Sequence, residues 1–478
     1  MWRQSLSEFN AVLDRIAEVT GVTIEWEIPP LSNYTERLQV TMAADEMCDI
    51  SYTWGFGAST YGKWAEDGLL WELDDLIEDY PNLMANIPQN QWDSARVNGK
   101  IYAVPRPNGT TIYGFTANVD WLEKLNGGKV PETVDELYEY AKLVASSDPD
   151  GNGQADTFLF SPPGVWADRW IVQAFMPYGS GSTAVKLPDF DGEYKIQQKM
   201  DGYLPYLRWF RKLYTEGLID PEFFTNNTYA DQTKFGQQRV AIVSIGAGNN
   251  AKLAGYLSGD ENVDPALYEN YAKMYPSMKA ESQEKPVNEM SAAHWGGWMI
   301  NADLDLDTVK RILGFLDWAN SEEGWLLMTS GVEGVNYKSY DPETQTVIQT
   351  AEQAEITDQV NAYATIANAY QGVTLTRIKE GDEASAAKAE YNKAEKAAIS
   401  EQVDFVEVPA LTFPKLVEFN NNNVDLVEKL ANMEENFVTG NVSEEDFVAF
   451  LEDEWYPAIA EAEEEYIQIM NEYAASLE

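Results

Sequence analysis

With 478 residues and 44% hydrophobic side chains, the chain has material for at least two cores and is too apolar for a disordered segment. Its 79 acidic against 33 basic residues leave a net charge of −46, which argues against nucleic acid and anionic membrane surfaces as partners. The same field disfavours a polyanionic ligand, although local arginines can override it.

In chain order, Leu6, Phe9, Leu13, Ile16 and Ala17 form a helical stripe closed by Gly21. Val22 to Ile28 alternates as a strand, and Pro29-Pro30 ends it. Tyr34 to Ala44 reads as a second helix. Cys48 is the one cysteine, which excludes an intrachain disulfide, and is expected to be a small buried hydrophobe before the next strand. That strand opens the stretch DISYTWGFGASTYGKWAEDGLLWEL, Asp49 to Leu73. Ile50, Tyr52 and Trp54 alternate, Gly55 and Gly57 break the strand, and Ser59 or Thr60 caps a helix carrying Tyr61, Trp64, Ala65 and Leu69. The β-α-β rhythm predicts a parallel sheet. Ligands of open α/β sheets sit at the C-terminal ends of strands, which places Trp54, Phe56 and Tyr61 beside a ligand. The alternative is a core strand with buried aromatics.

Further on, Val97 to Val104 predicts a hairpin turning at Asn98-Gly99. Thr111 to Ala117 alternates, Asn118 caps a helix to Asn126, and Val134 to Ala145 is strongly amphipathic. Trp166 to Phe175 is apolar and aromatic, and Tyr203 to Leu218 is a long helix ending in Gly217. Arg239 to Ile245 is a buried strand ending in the Gly246–Asn250 turn, and His294 to Ile300 (HWGGWMI) is an aromatic strand. Val309–Ala319 and Glu323–Met328 are helical, as is most of the chain beyond, including Glu383–Glu401 and Glu452–Tyr473. There is no signal-peptide or transmembrane run in the chain, which opens directly on a helix; this is compatible with a removed leader.

The sharpest local motif is DPDGNGQADT, Asp148 to Thr157. Oxygen side chains stand at relative positions one, three, five and nine with glycine at six, as in a calcium loop. Asp148, Asp150, Asn152 and Asp156 would give side-chain oxygens, Gln154 its carbonyl, and Thr157 closes the candidate set. Leu159 stands where a bidentate Glu is usual, and FLFSPP is no exit helix, so this is a calcium loop without an EF-hand. The alternative is an Asp/Asn/Gly-rich surface turn. Catalytic constellations are sparse. His294 is the one histidine and reads as a hydrogen-bonded cleft-edge or core residue, which leaves no H-E-x-x-H site. Ser244 lacks the first glycine of a nucleophile elbow, and Gly246-Ala247-Gly248 lacks a third glycine for a dinucleotide fingerprint. Paired glycosidase carboxylates stay open.

Several segments in sequence order resemble the family-one extracellular solute-binding proteins of bacterial ABC importers, among them the long lipoprotein-type and alginate-binding members. They are TGVTIEWEIPP at Thr20–Pro30, CDISYTW with YGKWAEDGLLWELDDLI, NGKIYAVP at Asn98–Pro105, YGFTANVDWLEKL at Tyr113–Leu125, WFRKLYTEGLIDPEFFT at Trp209–Thr225, SEEGWLLMTSGVEGVNY at Ser321–Tyr337 and FVTGNVSEEDFVAFLEDEW at Phe437–Trp455. DPDGNGQADT resembles the family's structural calcium loop. The usual strand and lipid-anchored cysteine before the first helix are missing, which would leave one sheet position open.

The resemblance implies an α/β, two-lobe periplasmic-binding-protein-like fold of type II, with a ligand cleft between lobes and a helical C-terminal extension. Lobe one would be residues 1–113 plus 295–331, and lobe two 114–294 plus 332–478. It implies a non-enzymatic, extracytoplasmic, cell-surface lipoprotein, monomeric, that captures an oligosaccharide for an ABC transporter permease, with structural Ca2+. Trp54, Phe56, Tyr61, Trp166, Trp170, Trp295 and Trp298 are the candidate stacking aromatics, and Arg106, Asn108 and Asn249 the candidate hydroxyl partners. A salt bridge or a turn is the alternative for each polar one. A secreted glycoside hydrolase or lyase, and a binder of a non-sugar solute such as a peptide, are the competing readings.

Overall fold

The structure, a computed structural model, describes residues 10–27, 34–44, 46–56, 59–107, 112–177, 187–226, 229–260, 263–291, 294–354, 366, 375–408, 411 and 413–477. Its strands are β1 (Ile50–Thr53), β2 (Arg96–Val97), β3 (Lys100–Ile101), β4 (Ala103–Pro107), β5 (Tyr113–Asn118), β6 (Ile242–Gly246), β7 (Ala272–Pro276), β8 (Val287–Ser291), β9 (His294–Ile300), β10 (Ser339–Asp341), β11 (Thr346–Gln349), β12 (Thr376–Lys379) and β13 (Asp404–Val408). The chain forms two compact units. Unit 1 holds Met1–Gly109, Ala292–Ala386 and Pro409–Thr412; unit 2 holds Thr110–Ser291, Ala387–Val408 and Phe413–Glu478.

In unit 1 the helix Asn10–Thr20 buries Val12 and Ile16 one turn apart, and Gly21 ends it in the left-handed region at φ +70°. Leu6 and Phe9 lie outside the described residues. Val22–Glu27 forms no regular element and, among the described residues, joins no sheet, contrary to the strand expected there. A cavity, described below, is lined by both this segment and β1. The second helix, Tyr34–Ala43, falls where its pattern puts it. Cys48 is exposed rather than buried, with its Sγ 3.7 Å from Glu27 Oε2.

The unit 1 sheet has the order β1-β9-β4, and β9 is antiparallel to both neighbours. The unit 2 sheet repeats the plan as β6-β5-β7, with β5 antiparallel to both. The outer strands of each sheet thus run parallel to each other, and the central strand is reversed. This corrects the all-parallel expectation. Parallel neighbours are joined by crossover connections. The central strands β5 and β9 are instead the first strands after the chain passes from one unit to the other, so no crossover ties their direction to the strands beside them.

The hairpin forms as expected. β2 pairs with β3, and Asn98 (φ +50°) and Gly99 (φ +83°) supply the two left-handed residues of its turn. In unit 2, Asn118 caps the helix Val119–Asn126 by accepting from Trp121 N–H, and Thr133 caps Val134–Ser146 through Glu136 N–H. The helix Tyr203–Thr215 buries Tyr206, Leu207, Phe210 and Leu213 on one face. Each such apolar side chain contributes about 2 kcal/mol of burial energy. Four C-terminal helices, Pro414–Asn422, Val424–Val438, Glu444–Phe450 and Tyr456–Ser476, belong to unit 2. Arg211 ties them on by donating to Phe437 O at 3.1 Å and Val442 O at 2.8 Å.

Residues 332–386 sit in unit 1, not in the second lobe where the sequence placed them. Their small sheet β10-β11-β12 explains this. Arg377 in β12 donates to Thr329 O at 2.8 Å, and Tyr340 in β10 packs edge-on to Trp325 at 6.5 Å.

Candidate ligand and metal sites

The turn after β1 stands on an aromatic bracket. Tyr52 lies opposite Trp298 across the β1–β9 ladder, with ring centres 5.1 Å apart. Trp54 meets Tyr52 edge-on at 5.2 Å and Tyr34 at 6.0 Å, and remains 37% exposed. Tyr34 O–H donates to Tyr52 O at 2.6 Å. Burial raises the Tyr52 phenol above its usual range, against the opposing pull of the Arg106 guanidinium. Two glycines of HWGGW let the bracket close. Gly296 has φ +97°, and a Cβ there would lie 1.7 Å from Thr53 O. A Cβ on Gly297 would lie 2.6 Å from the Phe56 ring. A cavity of about 960 Å³ opens beside the bracket, bounded by Val22–Glu27, Tyr34, Ile50–Tyr52, Trp54, Trp298 and Trp318.

Of the described aromatic candidates in unit 1, Trp54 is the exposed one. Phe56 and Tyr61 are buried against each other at 5.0 Å, and Tyr61 O–H donates to Ala95 O at 2.7 Å. Their place corrects the expectation: they support the turn from beneath. The helix after the turn points its apolar face inward, so Tyr61 at its start goes with it. Trp298 is largely buried, and its Nε1 has no acceptor among the described residues. Arg106 lies 5.9 Å from the Tyr52 ring centre and donates to Tyr52 Oη at 3.4 Å, while its Nε is buried without a partner among the described residues. Asn108 and the Trp295 side chain lie outside the described part.

In unit 2, Trp166 is half-buried and stacks on Tyr203, 5.5 Å away and 13° from parallel. Its Nε1–H donates to Glu434 Oε2 at 2.9 Å, and Tyr203 O–H donates to Oε1 at 2.5 Å. Burial pushes the Glu434 carboxyl up to about 7, against both hydrogen bonds. Trp170 is fully buried between Phe115 at 4.6 Å and Phe160 at 6.0 Å, so it is a core residue and not an exposed platform. Asn249 is exposed and donates to Gly246 O at 2.9 Å, closing its own turn. Its buried neighbour Asn250 accepts from Thr116 Oγ1 at 3.0 Å and donates to Ala272 O at 2.8 Å.

Sequence reading missed a second group here. Tyr229 is 64% exposed at φ +71°, a costly conformation for a residue with a side chain. Lys252 Nζ lies 5.5 Å from its ring and 5.5 Å from that of Tyr256. Arg169 lies over the Tyr113 ring at 5.3 Å. Burial, then the nearby Asp231, pushes the Asp168 carboxyl up to about 8. A signal for the tyrosines was present in sequence only as polar loop composition, which carries no side-chain direction.

The loop after Val134–Ser146 is exposed. Asn152 Nδ2 donates to Asp150 Oδ2 at 2.9 Å and to Asp156 Oδ1 at 3.0 Å, and Gly153 N–H donates to Asp148 Oδ2 at 2.9 Å. Gln154 N–H donates to Asn152 Oδ1 at 2.8 Å. Gly151 and Gly153 turn the chain at φ +76° and +87°. Desolvation and the facing Asp148 raise the Asp150 carboxyl, the sign of acids gathered without a counter-charge. The donor set is all hard oxygen, which fits calcium. Thr157 departs from the set: its buried Oγ1–H donates to Val144 O at 3.0 Å, anchoring the loop to the helix.

A tighter acid group lies elsewhere in unit 2. Asp189, Asp191 and Asp201 bring carboxylate oxygens within 4.8 Å of one another. Lys195 Nζ sits on all three, at 3.0, 2.5 and 3.1 Å.

Two three-stranded sheets with reversed central strands, one of them ending beside the exposed Trp54, are in keeping with a solute-binding fold. The chain belongs to the bacterial extracellular solute-binding protein family, whose model matches residues 3–324. It is 27% identical over 353 residues to the lipoprotein LipO of Bacillus subtilis (71% of this chain, 66% of LipO). It is 25% identical to the polygalacturonan/rhamnogalacturonan-binding protein YtcQ of the same organism (70% and 65%). To the fructooligosaccharide ABC transporter substrate-binding protein FusA of Streptococcus pneumoniae it is 26% identical (58% and 51%). The matches thus span less than two thirds of these relatives. Among solved structures, an extracellular solute-binding protein from Bifidobacterium longum subsp. infantis superposes with TM-score 0.72 at 17% identity, covering 96% of this chain and 94% of that one. The alginate-binding protein AlgQ2 without calcium ion gives 0.68 at 18%, covering 98% and 95%. These shared folds agree with the two-lobe expectation. Among the described residues no helix is long and apolar enough to cross a membrane.

Proposed function

We propose that the protein captures an oligosaccharide outside the cell and delivers it unchanged to the membrane permease of an ABC importer, as a lipid-anchored monomer with a structural calcium ion in the Asp148–Asp156 loop. The observation that carries this reading is Trp54. Its ring is held edge-on by Tyr52 and Tyr34 and still presented to solvent, the arrangement a sugar's apolar face stacks on. Family membership and the saccharides named for YtcQ and FusA support it. The hydrolase reading loses ground at Glu434. It has a raised carboxyl, but both of its oxygens are occupied and it is buried.

The test is to find a ligand by thermal shift across an oligosaccharide panel, then incubate and chromatograph it. The ligand is expected to be recovered intact; shorter or unsaturated products overturn the reading. Trp54→Ala should weaken binding by roughly 1–3 kcal/mol, the range of other aromatic stacking partners, with little change in Tm.

A further inference from the structure

An indole nitrogen donates and cannot accept, so a tryptophan taken from water wants an acceptor. This chain often does without one: the Nε1 atoms of Trp92 and Trp121 are buried with no acceptor among the described residues. Trp166, which is only half-buried, is given a carboxylate. Its Nε1–H donates to Glu434 Oε2 at 2.9 Å, and Tyr203 O–H holds the other oxygen at 2.5 Å. Glu434 comes from the C-terminal helix Val424–Val438. Burying an acid is costly, as the raised Glu434 carboxyl shows, and an apolar side chain would fill the space at lower cost.

The clamp stands at one end of a succession of stacked rings in unit 2. Trp166 lies on Tyr203 (5.5 Å, 13°), Tyr203 on Phe447 (6.4 Å, 25°), and Phe447 on Phe437 (5.0 Å, 16°). The Arg211 guanidinium ends it, 4.8 Å from the Phe437 ring centre. Phe437 and Glu434 are three residues apart, on one face of their helix. Stacking sets the spacing of two rings but lets one turn in its own plane over the other. A hydrogen bond at one atom of the ring edge removes that freedom. Glu434 therefore fixes the turn of the indole on Tyr203, and Arg211 fixes Glu434's helix through Phe437 O and Val442 O. The position suits a ligand. Phe158 bridges parallel to Val240 just ahead of β6, and the chain then leaves into the loop that carries Trp166. That loop thus follows the carboxyl end of a parallel bridge, the end where open α/β sheets take their ligands.

We propose that Glu434 is a positioning residue for ligand binding: acting through Trp166, it holds an indole of unit 2 at the angle on which an apolar sugar face stacks. This rests on the oligosaccharide-binding reading and adds to it a residue that touches no sugar, since its oxygens are taken by Trp166 and Tyr203. The C-terminal helices thereby set affinity without lining the site.

The experiment is calorimetric titration of the full chain with one probe, the panel saccharide that gives the largest thermal shift. Trp166→Phe keeps a ring on Tyr203 and loses the N–H; it should weaken binding about tenfold, within the range of aromatic stacking partners. Glu434→Leu should weaken it about fivefold, and Glu434→Gln, whose amide still accepts from the indole and donates to Tyr203 Oη, should stay within about twofold of wild type. In the Trp166→Phe background Glu434→Leu should add nothing, because the bond it removes is already gone. Tm reports the stability of each variant separately. A Glu434→Leu protein with lowered Tm and unchanged affinity, or equal losses of affinity in both backgrounds, overturns the inference and leaves oligosaccharide capture standing. If Glu434→Leu does not fold, Tyr203→Phe carries the test: it releases one Glu434 oxygen while its ring stays stacked, and affinity should fall about twofold or more. Unchanged affinity in that variant overturns the inference too. If no saccharide in the panel binds the wild type, both readings fall.

Discussion

Two acid clusters in unit 2 handle the same repulsion differently. At Asp189, Asp191 and Asp201 the chain supplies its own cation, and Lys195 reaches all three carboxylates. At Asp148, Asp150 and Asp156 it supplies amide donors but no cation, and Asp150 is left with a raised carboxyl. Lys124 comes close, but it donates to Pro149 O at 3.1 Å and pairs with Asp120 instead. Tight packing of carboxylates alone therefore does not mark a metal site. The informative feature is whether a basic side chain already stands among them. Where one does, a metal has no work; where only amides do, the charge is left for an external cation to balance.

The largest expected effect comes from the open loop. Calcium at a thousandfold excess over its Kd should stabilise the fold by about 4 kcal/mol, seen as a rise in Tm that a chelator reverses. Magnesium should act weakly, because it demands tighter octahedral geometry. Asp150→Ala should lose the response; equal melting of wild type and variant, with and without chelator, would reduce the loop to a turn.

Next comes the closed cluster. Lys195→Met should cost about 3 kcal/mol, since it strands a fully covered Asp189 side chain without its counter-ion. Calcium should then recover part of the loss, because the three carboxylates remain gathered. A variant as stable as wild type in denaturant titration would show that the lysine is incidental.

Glu434 is a third case, an acid with neither metal nor base. Its folded carboxyl titrates at about 7, above the ordinary 4.5, so the folded protein holds the proton more tightly than the unfolded chain. Its contribution to stability is therefore fully present below about 4.5 and is lost as pH rises through about 7. The swing is on the order of 3 kcal/mol. Asp168 adds with the same sign, and Asp220, held below the usual range by Lys234 against its burial, opposes it at low pH. The difference between wild type and Glu434→Gln isolates the Glu434 part: the variant's stability should depend less on pH between 4.5 and 7. Parallel curves would count against this.

The smallest effect is expected at Lys124. Lys124→Ala should change Tm by the equivalent of under about 1 kcal/mol, with calcium or without, as for an exposed ion pair. A large loss confined to the calcium-free protein would mean that Lys124 is the loop's counter-charge after all, and the contrast with Lys195 would collapse.

Local signals in the sequence carried well into the structure. Asn98-Gly99 fixed a hairpin because two left-handed residues in a row leave few other turns, and Asn118 and Thr133 marked helix starts because each caps a free N–H. Long-range facts were not legible. β5 and β9 alternate like any strand, and nothing in their residues says that both neighbours run the other way. Tyr61 and Trp170 are aromatics near turns, as Trp54 is, yet they are buried. Residue type does not tell which side of a strand end or short helix faces solvent. The cations on tyrosines escaped notice for the same reason: Arg169 and Tyr113 are 56 residues apart in the chain, the difference of their numbers.

Gly296 fixes how freely this protein can drift. Two independent barriers close the position: a backbone angle that other residues resist, and a carbonyl standing where a first side-chain carbon would go. No compensating change at a single neighbour opens both. A randomised library at 296, selected only for folded protein, should return glycine almost alone, while the strand end at Trp54 can be rewritten for a different solute. The strand end that carries Trp54 is thus free to diverge beside a position that cannot.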